Sequence, residues 1–149
     1  MSWLRRSSRP EVAPAATGES GGGAMGPMVK MLASAPEEQR REMLGDRLAV
    51  FASQDEETRR RAMRSMLNAA LALPDDQYQT IAASRLAVLQ TLPQGDRMAL
   101  MQSHAHTVKG LPEELRAKEM RTMQAVISGL PEDRQEMVRA MMRATGLMD

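Results

Sequence analysis

The sequence predicts an all-α repeat protein, and two observations carry that prediction. Proline stands at positions 36, 74, 93, 112 and 131, and Asp55 fills the one gap, so a helix-start signal returns every 19 residues. The composition agrees: Leu, Ala and fifteen Met are strong helix formers, whereas a single Trp, a single Tyr and a single Phe leave little material for strands.

Each unit reads the same way. Leu73, Leu92, Leu111 and Leu130 precede the proline, and acidic pairs follow it at Glu37-Glu38, Asp75-Asp76, Glu113-Glu114 and Glu132-Asp133. Proline's fixed φ and missing N–H suit the first turn of a helix, and carboxylates there meet the positive end of the helix dipole. A proline-free stretch follows, with apolar side chains roughly 7–8, 11–12, 14–15 and 18 positions beyond the proline, the stripe of an amphipathic helix. Gly110 and Gly129 stand immediately before the next Leu-Pro, where a left-handed glycine would end the helix.

Alternate units are the more alike, so the true repeat is 38 residues. Arg47-Leu48-Ala49-Val50-Phe51, Arg85-Leu86-Ala87-Val88-Leu89 and Met123-Gln124-Ala125-Val126-Ile127 occupy one place, and the intervening helices carry Met63, Met66, Leu100, Met101, Val138, Met141 and Met142 instead. Three tandem helical hairpins are expected, 35–72, 73–110 and 111–148, within a repeat domain of 35–149. Residues 25–34 match the end of one more unit, with Met28, Val29, Met31 and Leu32 at the apolar positions, and read as a short capping helix. Because no hairpin can bury its apolar face alone, the three must stack, as a short superhelix or a compact antiparallel bundle; the superhelix is the favoured expectation.

This pattern resembles the helical-repeat proteins as a class, with tetratricopeptide and HEAT arrays nearest in period, although the tetratricopeptide signature of Trp, Gly and Tyr is missing. Leu111-Pro112-Glu113-Glu114, followed by Arg116 and a Met-bearing helix, is similar to the cytosolic helical domains of magnesium channels and flagellar switch proteins. Octatricopeptide RNA binders share the 38-residue period, but their proline-rich Trp-Leu box is absent. These resemblances imply binding of a protein partner on a concave or exposed helix face.

Residues 1–24 differ in composition. Ser, Pro, Ala, Thr and Gly, with Gly21-Gly22-Gly23, supply too little apolar surface to offset chain entropy, so a flexible tail is expected. Its start, Met1-Ser2-Trp3-Leu4-Arg5-Arg6, is basic and free of acid. No apolar h-region follows, so a secretory or twin-arginine signal does not fit, while an organellar transit peptide or peripheral membrane association stays open. The lone Trp, at position 3 beside Leu4, Arg5 and Arg6, is a candidate docking motif against the plainer reading of a frayed terminus.

The net charge of +1, with residues 35–149 slightly acidic, gives no global field for nucleic acid. The absence of cysteine removes disulfides, thiolate nucleophiles and Cys-type zinc sites, and suits a cytoplasmic, reducing setting, with an organelle as the alternative. No apolar run reaches the roughly 20 residues of a membrane-spanning helix.

Three groups of residues invite chemistry. Arg59, Arg60, Arg61 and Arg64 form a basic cluster suited to phosphate, nucleic acid or an acidic partner, weighed against a solvated face that pairs with Glu56 and Glu57. Met98, Met101 and His104 suit Cu(I), but His104 and His106 lie two apart and point to opposite sides of a helix, and Met at the repeat's apolar positions is ordinary core filling. Acidic pairs recur in nearly every unit, as helix capping requires, whereas an active site would occur once. With no nucleophile elbow and no glycine-rich phosphate loop, neither catalysis nor a cofactor is expected. The reading is a non-catalytic protein–protein interaction module, an adaptor or accessory subunit, with a Met/His copper-handling protein as the alternative.

Overall fold

The computed structural model of the 149-residue chain describes residues 21–147, which form seven α-helices and no strand. α1 spans Gly21–Ser34, α2 Glu37–Ala52, α3 Glu56–Leu71, α4 Asp75–Leu89, α5 Gln94–Lys109, α6 Glu113–Ser128 and α7 Glu132–Ala144. None of the described helices is long and apolar enough to cross a membrane.

The 19-residue signal starts helices as an N-cap. Pro36, Pro74, Pro93, Pro112 and Pro131 have φ between −55° and −58° and lie just outside the helix, where their carbonyls accept the first helical bond, as Pro36 O does from Arg40 N at 2.8 Å. Asp55 fills the same place by another chemistry, its side chain accepting from Thr58 N at 2.8 Å.

The helix ends correct one expectation. Gly110 and Gly129 have φ of −90° and −84° and are not left-handed, because the two-residue turn into Leu-Pro closes with three-residue bonds such as Leu111 N to Val108 O at 3.1 Å. Ser53, Ala72 and Gln90 make the same turn without glycine. Among the described residues the left-handed glycine is Gly146, at φ 84°, after α7. Its N–H reaches Arg143 O at 3.2 Å and Leu147 N reaches Met142 O at 3.0 Å, which folds Leu147 back onto the core.

α1 begins at Gly21, so Gly21-Gly22-Gly23, read from composition as flexible, lie in its first turn. The first N–H groups of a helix lack intrahelical partners in any case, and α1 is held by packing on α3. Val29 and Leu32 of α1 are buried as the repeat register demands, but Met31 is 55% exposed, with none of the described residues covering the outer side of this helix.

Packing follows a simple rule: α1 lies on α3, α2 on α4, α3 on α5 and α4 on α6, with cross-contacts from α2 to α5 and α1 to α4. Helices α1, α3 and α5 therefore stack in one row and α2, α4 and α6 in another, while α7 packs on α6. The rule explains a difference between equivalent residues. Val88 packs over Gly45 of α2 and is buried, as is Val126, whereas Val50 precedes any even-row partner and is 50% exposed. Most of the core belongs to one cluster running from Val29 to Leu111, and a smaller cluster of α4, α6 and α7 residues closes the other end.

A side-chain device recurs with the period. Four residues after the cap, Arg40, Arg59, Arg97 and Arg116 turn back so that Nη1 donates to the carbonyl of the residue preceding the cap: Ala35, Gln54, Leu92 and Leu111, at 2.5, 2.7, 3.1 and 3.1 Å. Gln135 does the same to Leu130 at 2.9 Å. In two cases the guanidinium also reaches along its row, Arg40 Nε to Ser84 Oγ and Arg59 Nε to Ser103 Oγ, both at 2.9 Å. Each of these two arginines thus satisfies a turn carbonyl and links helices two apart. Arg40 is buried and serves Leu32 O and Ala35 O together with Ser84, so Arg40→Met should lower the unfolding free energy by about 3 kcal/mol, whereas Arg116→Met, at a more open turn, should cost under about 1 kcal/mol. Denaturant unfolding of the two variants measures the difference.

Candidate functional site

One unit breaks the device. Where four others have Arg and one has Gln, α4 has Tyr78, which cannot reach back to the Leu73 carbonyl. Lys118 of α6 supplies that donor instead, its Nζ 2.5 Å from Leu73 O and 2.9 Å from Leu71 O. Released from the turn, Tyr78 points inward and donates its hydroxyl to Glu119 Oε1. Both residues are fully buried.

Glu119 is itself out of place. Seven positions after the cap, the other units carry Met43, Ala62, Ile81, Leu100 and Val138, so a carboxylate occupies an apolar slot of the core. It survives there because α4 and α5 bring donors. His104 Nε2 donates to Oε2 at 2.8 Å, and Arg85 Nη2 lies 3.4 Å from the same oxygen. Arg85 also lies over the Tyr78 ring, 5.9 Å from its centroid. Arg85 and His104 share one slot, eleven after the cap, which is Arg47 in the first unit and Met66, Met123 and Met142 in the others. Three departures from the repeat thus meet in one buried polar cluster.

Burial alone opposes charge on Glu119, but the neighbouring Arg85 and His104 and the hydrogen bonds from His104 and Tyr78 outweigh it, holding the carboxyl down to about 2. Burial first, and then the adjacent carboxylate, push the Tyr78 hydroxyl well above its ordinary 10, against the pull of Arg85, so it stays a donor. The arrangement holds one anion, one fixed cation, a phenol and an imidazole in the interior.

Arg85 and His104 also form part of the wall of a cavity of about 50 Å³ lined from helices α2 to α7, otherwise by Leu, Met and Val, with Leu147 among them. Met101 of the expected copper set lines this cavity with His104, joined by Met63, Met123 and Met142; Met98 does not. His106 faces the opposite way, exposed, as the two-residue spacing requires. Among the described residues no three His, Cys, Asp or Glu side chains gather as a metal site.

The basic cluster divides. Arg59 turns inward to Ser103 and Gln54, while Arg60, Arg61 and Arg64 line a surface hollow of about 410 Å³ with His106, Glu56 and Glu57. Arg60 is paired with Glu56 at 2.5 Å. The docking motif Trp3-Leu4-Arg5-Arg6 lies outside the described residues.

A larger surface feature was not expected from the sequence. A groove of about 650 Å³ runs along α4 and α6, with Ala83, Ala87, Ala125 and Gly129 giving it a shallow-sided floor beside Leu86 and Val126. Arg41 and Arg134 stand at its edges, and none of the described residues lining it is acidic. Arg134 Nη2 donates to Gln90 Oε1 across this groove's lining, while Gln90 Nε2 and Arg134 Nε lie buried beneath it without a protein acceptor. The Ala-Val box contributes the floor; the groove itself needs two helices a full repeat apart to lie side by side.

Compared with family models, curated proteins and solved structures, the chain shows no significant match.

Removing the carboxylate strands Arg85 in the core, so Glu119→Ala should destabilise the fold by about 3–5 kcal/mol in denaturant unfolding. A pKa lowered from 4.5 to about 2 is a stability contribution present above pH 4.5 and lost as pH falls toward 2, worth about 3 kcal/mol by linkage. An acid titration of thermal stability should therefore show a steeper loss over that window for the native chain than for Arg85→Met/Glu119→Leu, which has no such group.

Proposed function

We propose that this chain is a non-catalytic helical-repeat module that binds a protein partner, as an adaptor or accessory subunit, with the hairpins 35–72, 73–110 and 111–148 stacked as a short superhelix. The stacking of odd on odd and even on even helices supports that arrangement, since a solenoid places each helix against the one a full repeat away. The observation that carries the binding reading is the α4–α6 groove. It combines small and apolar lining side chains with two arginines, Arg41 paired with Glu37 and Arg134 with Gln90, and no lining acid. The groove therefore suits a partner segment with an acidic residue beside small or apolar side chains.

The test is capture from native extract with the full chain, followed by identification and stoichiometry of what is bound. A stoichiometric protein partner is expected. Ala125→Trp, which fills the floor, and Arg134→Glu, which reverses the edge charge, should each weaken that association by about tenfold or more without lowering thermal stability appreciably. A monomer with no stoichiometric partner at physiological salt, or a partner held equally by both variants, defeats the reading.

A further inference from the structure

The buried cluster satisfies its anion better than its cation. Glu119 is held closely by Tyr78 and His104, but the two oxygens beside the Arg85 guanidinium are distant, Tyr78 Oη and Glu119 Oε2 both at 3.4 Å, and its third acceptor is a thioether, Met123 Sδ at 3.6 Å. Good N–H···O bonds are about 2.9–3.0 Å long, and a guanidinium has five donors to place. Arg85 lies on the wall of the cavity of about 50 Å³, and a second void of about 30 Å³ adjoins it, sharing Leu48, Met63, Arg85 and His104. That space exceeds the ~10–15 Å³ that one water needs, yet polar partners stand on one wall only. An apolar chamber with one under-bonded cation is the pattern of a site for an amphiphile with an anionic head.

We propose that this cavity binds a small amphipathic carboxylate, its short acyl chain lying against Leu100, Met101 and Met142 and its carboxylate completing the hydrogen bonding of Arg85. The unbranched Met side chains, with three rotatable bonds each, re-pack around a chain longer than the resting void. A soft metal ion fits less well: Arg85 places positive charge on the same wall, Met123 Sδ already accepts from Arg85, and His104 Nε2 is engaged with Glu119. The site shares only Leu86 with the lining of the α4–α6 groove.

Octanoate is the probe, titrated into the full chain by calorimetry and followed by thermal unfolding at pH 7, with octanol and octylammonium as matched controls. Octanoate should bind and raise the Tm, with both controls weaker by about tenfold or more. Arg85→Met/Glu119→Leu installs at both places residue types that other units carry and should lose octanoate affinity by about tenfold or more. Met142→Phe, which fills the cavity and keeps Arg85, should also abolish binding, and it decides the matter should the double variant not fold. Absence of octanoate binding, equal affinity for octanol or octylammonium, or affinity undiminished in the folded variants overturns the proposal.

Discussion

A carbonyl oxygen at every interhelical turn needs a donor, and the side chain that supplies it organises the rest of this structure. The turn is two residues and a cap long, so the backbone cannot satisfy the oxygen of the residue before the cap; a guanidinium four residues into the next helix can. At Arg40 and Arg59 the remaining guanidinium nitrogen then links to a serine two helices away. Local turn chemistry and longer-range stacking are in this way served by one residue type. Arginine suits both tasks because its planar fork offers several donors in fixed directions.

The exception shows how firmly the carbonyl's demand is felt. With Tyr78 in the arginine slot, Lys118 crosses from α6 to Leu73 O, and the tyrosine hydroxyl becomes available to a carboxylate that the apolar register would otherwise exclude. Replacing buried ion pairs by well-packed apolar residues is often neutral or stabilising, so stability alone does not account for Glu119 and Arg85. Tyr78, Glu119 and His104 each differ from the residues that hold their slots in the other units, and with Arg85 they meet at one buried point.

The ends of the array behave differently from its middle for the same packing reason. Val50 and Met31 sit in core register yet lie open, with no further helix before them in the row among the described residues. At the other end Gly146 reverses the chain and places Leu147 against both core clusters, where it lines the cavity beside Arg85. A β-carbon on Gly146 would meet Lys109 Nζ at 2.8 Å, so this reversal is constrained by its neighbour as well as by its positive φ.

Helix number among units, helix starts and the buried stripe were determined by the sequence itself, because caps and amphipathic spacing act over a few residues and repeat without error. Pro36 through Pro131, Leu73, Leu111 and the core methionines Met63, Met66, Met101 and Met142 all stand where that arithmetic puts them. The odd slots, Tyr78 and Glu119, were visible in the same alignment as departures from it, but not their meeting: that depends on α4 and α6 lying side by side, 41 residues apart in sequence at the hydrogen bond. The left-handed glycine could not be assigned from residue type, since Gly110 and Gly129 enter a turn that any residue makes. Arg59 likewise belonged to a run of three arginines until packing turned one inward and left the others in solvent. Only the tertiary structure decided the groove, the cavity and the fate of each cation, because a side chain's partners are set by which helices stack, and no local pattern encodes that distance.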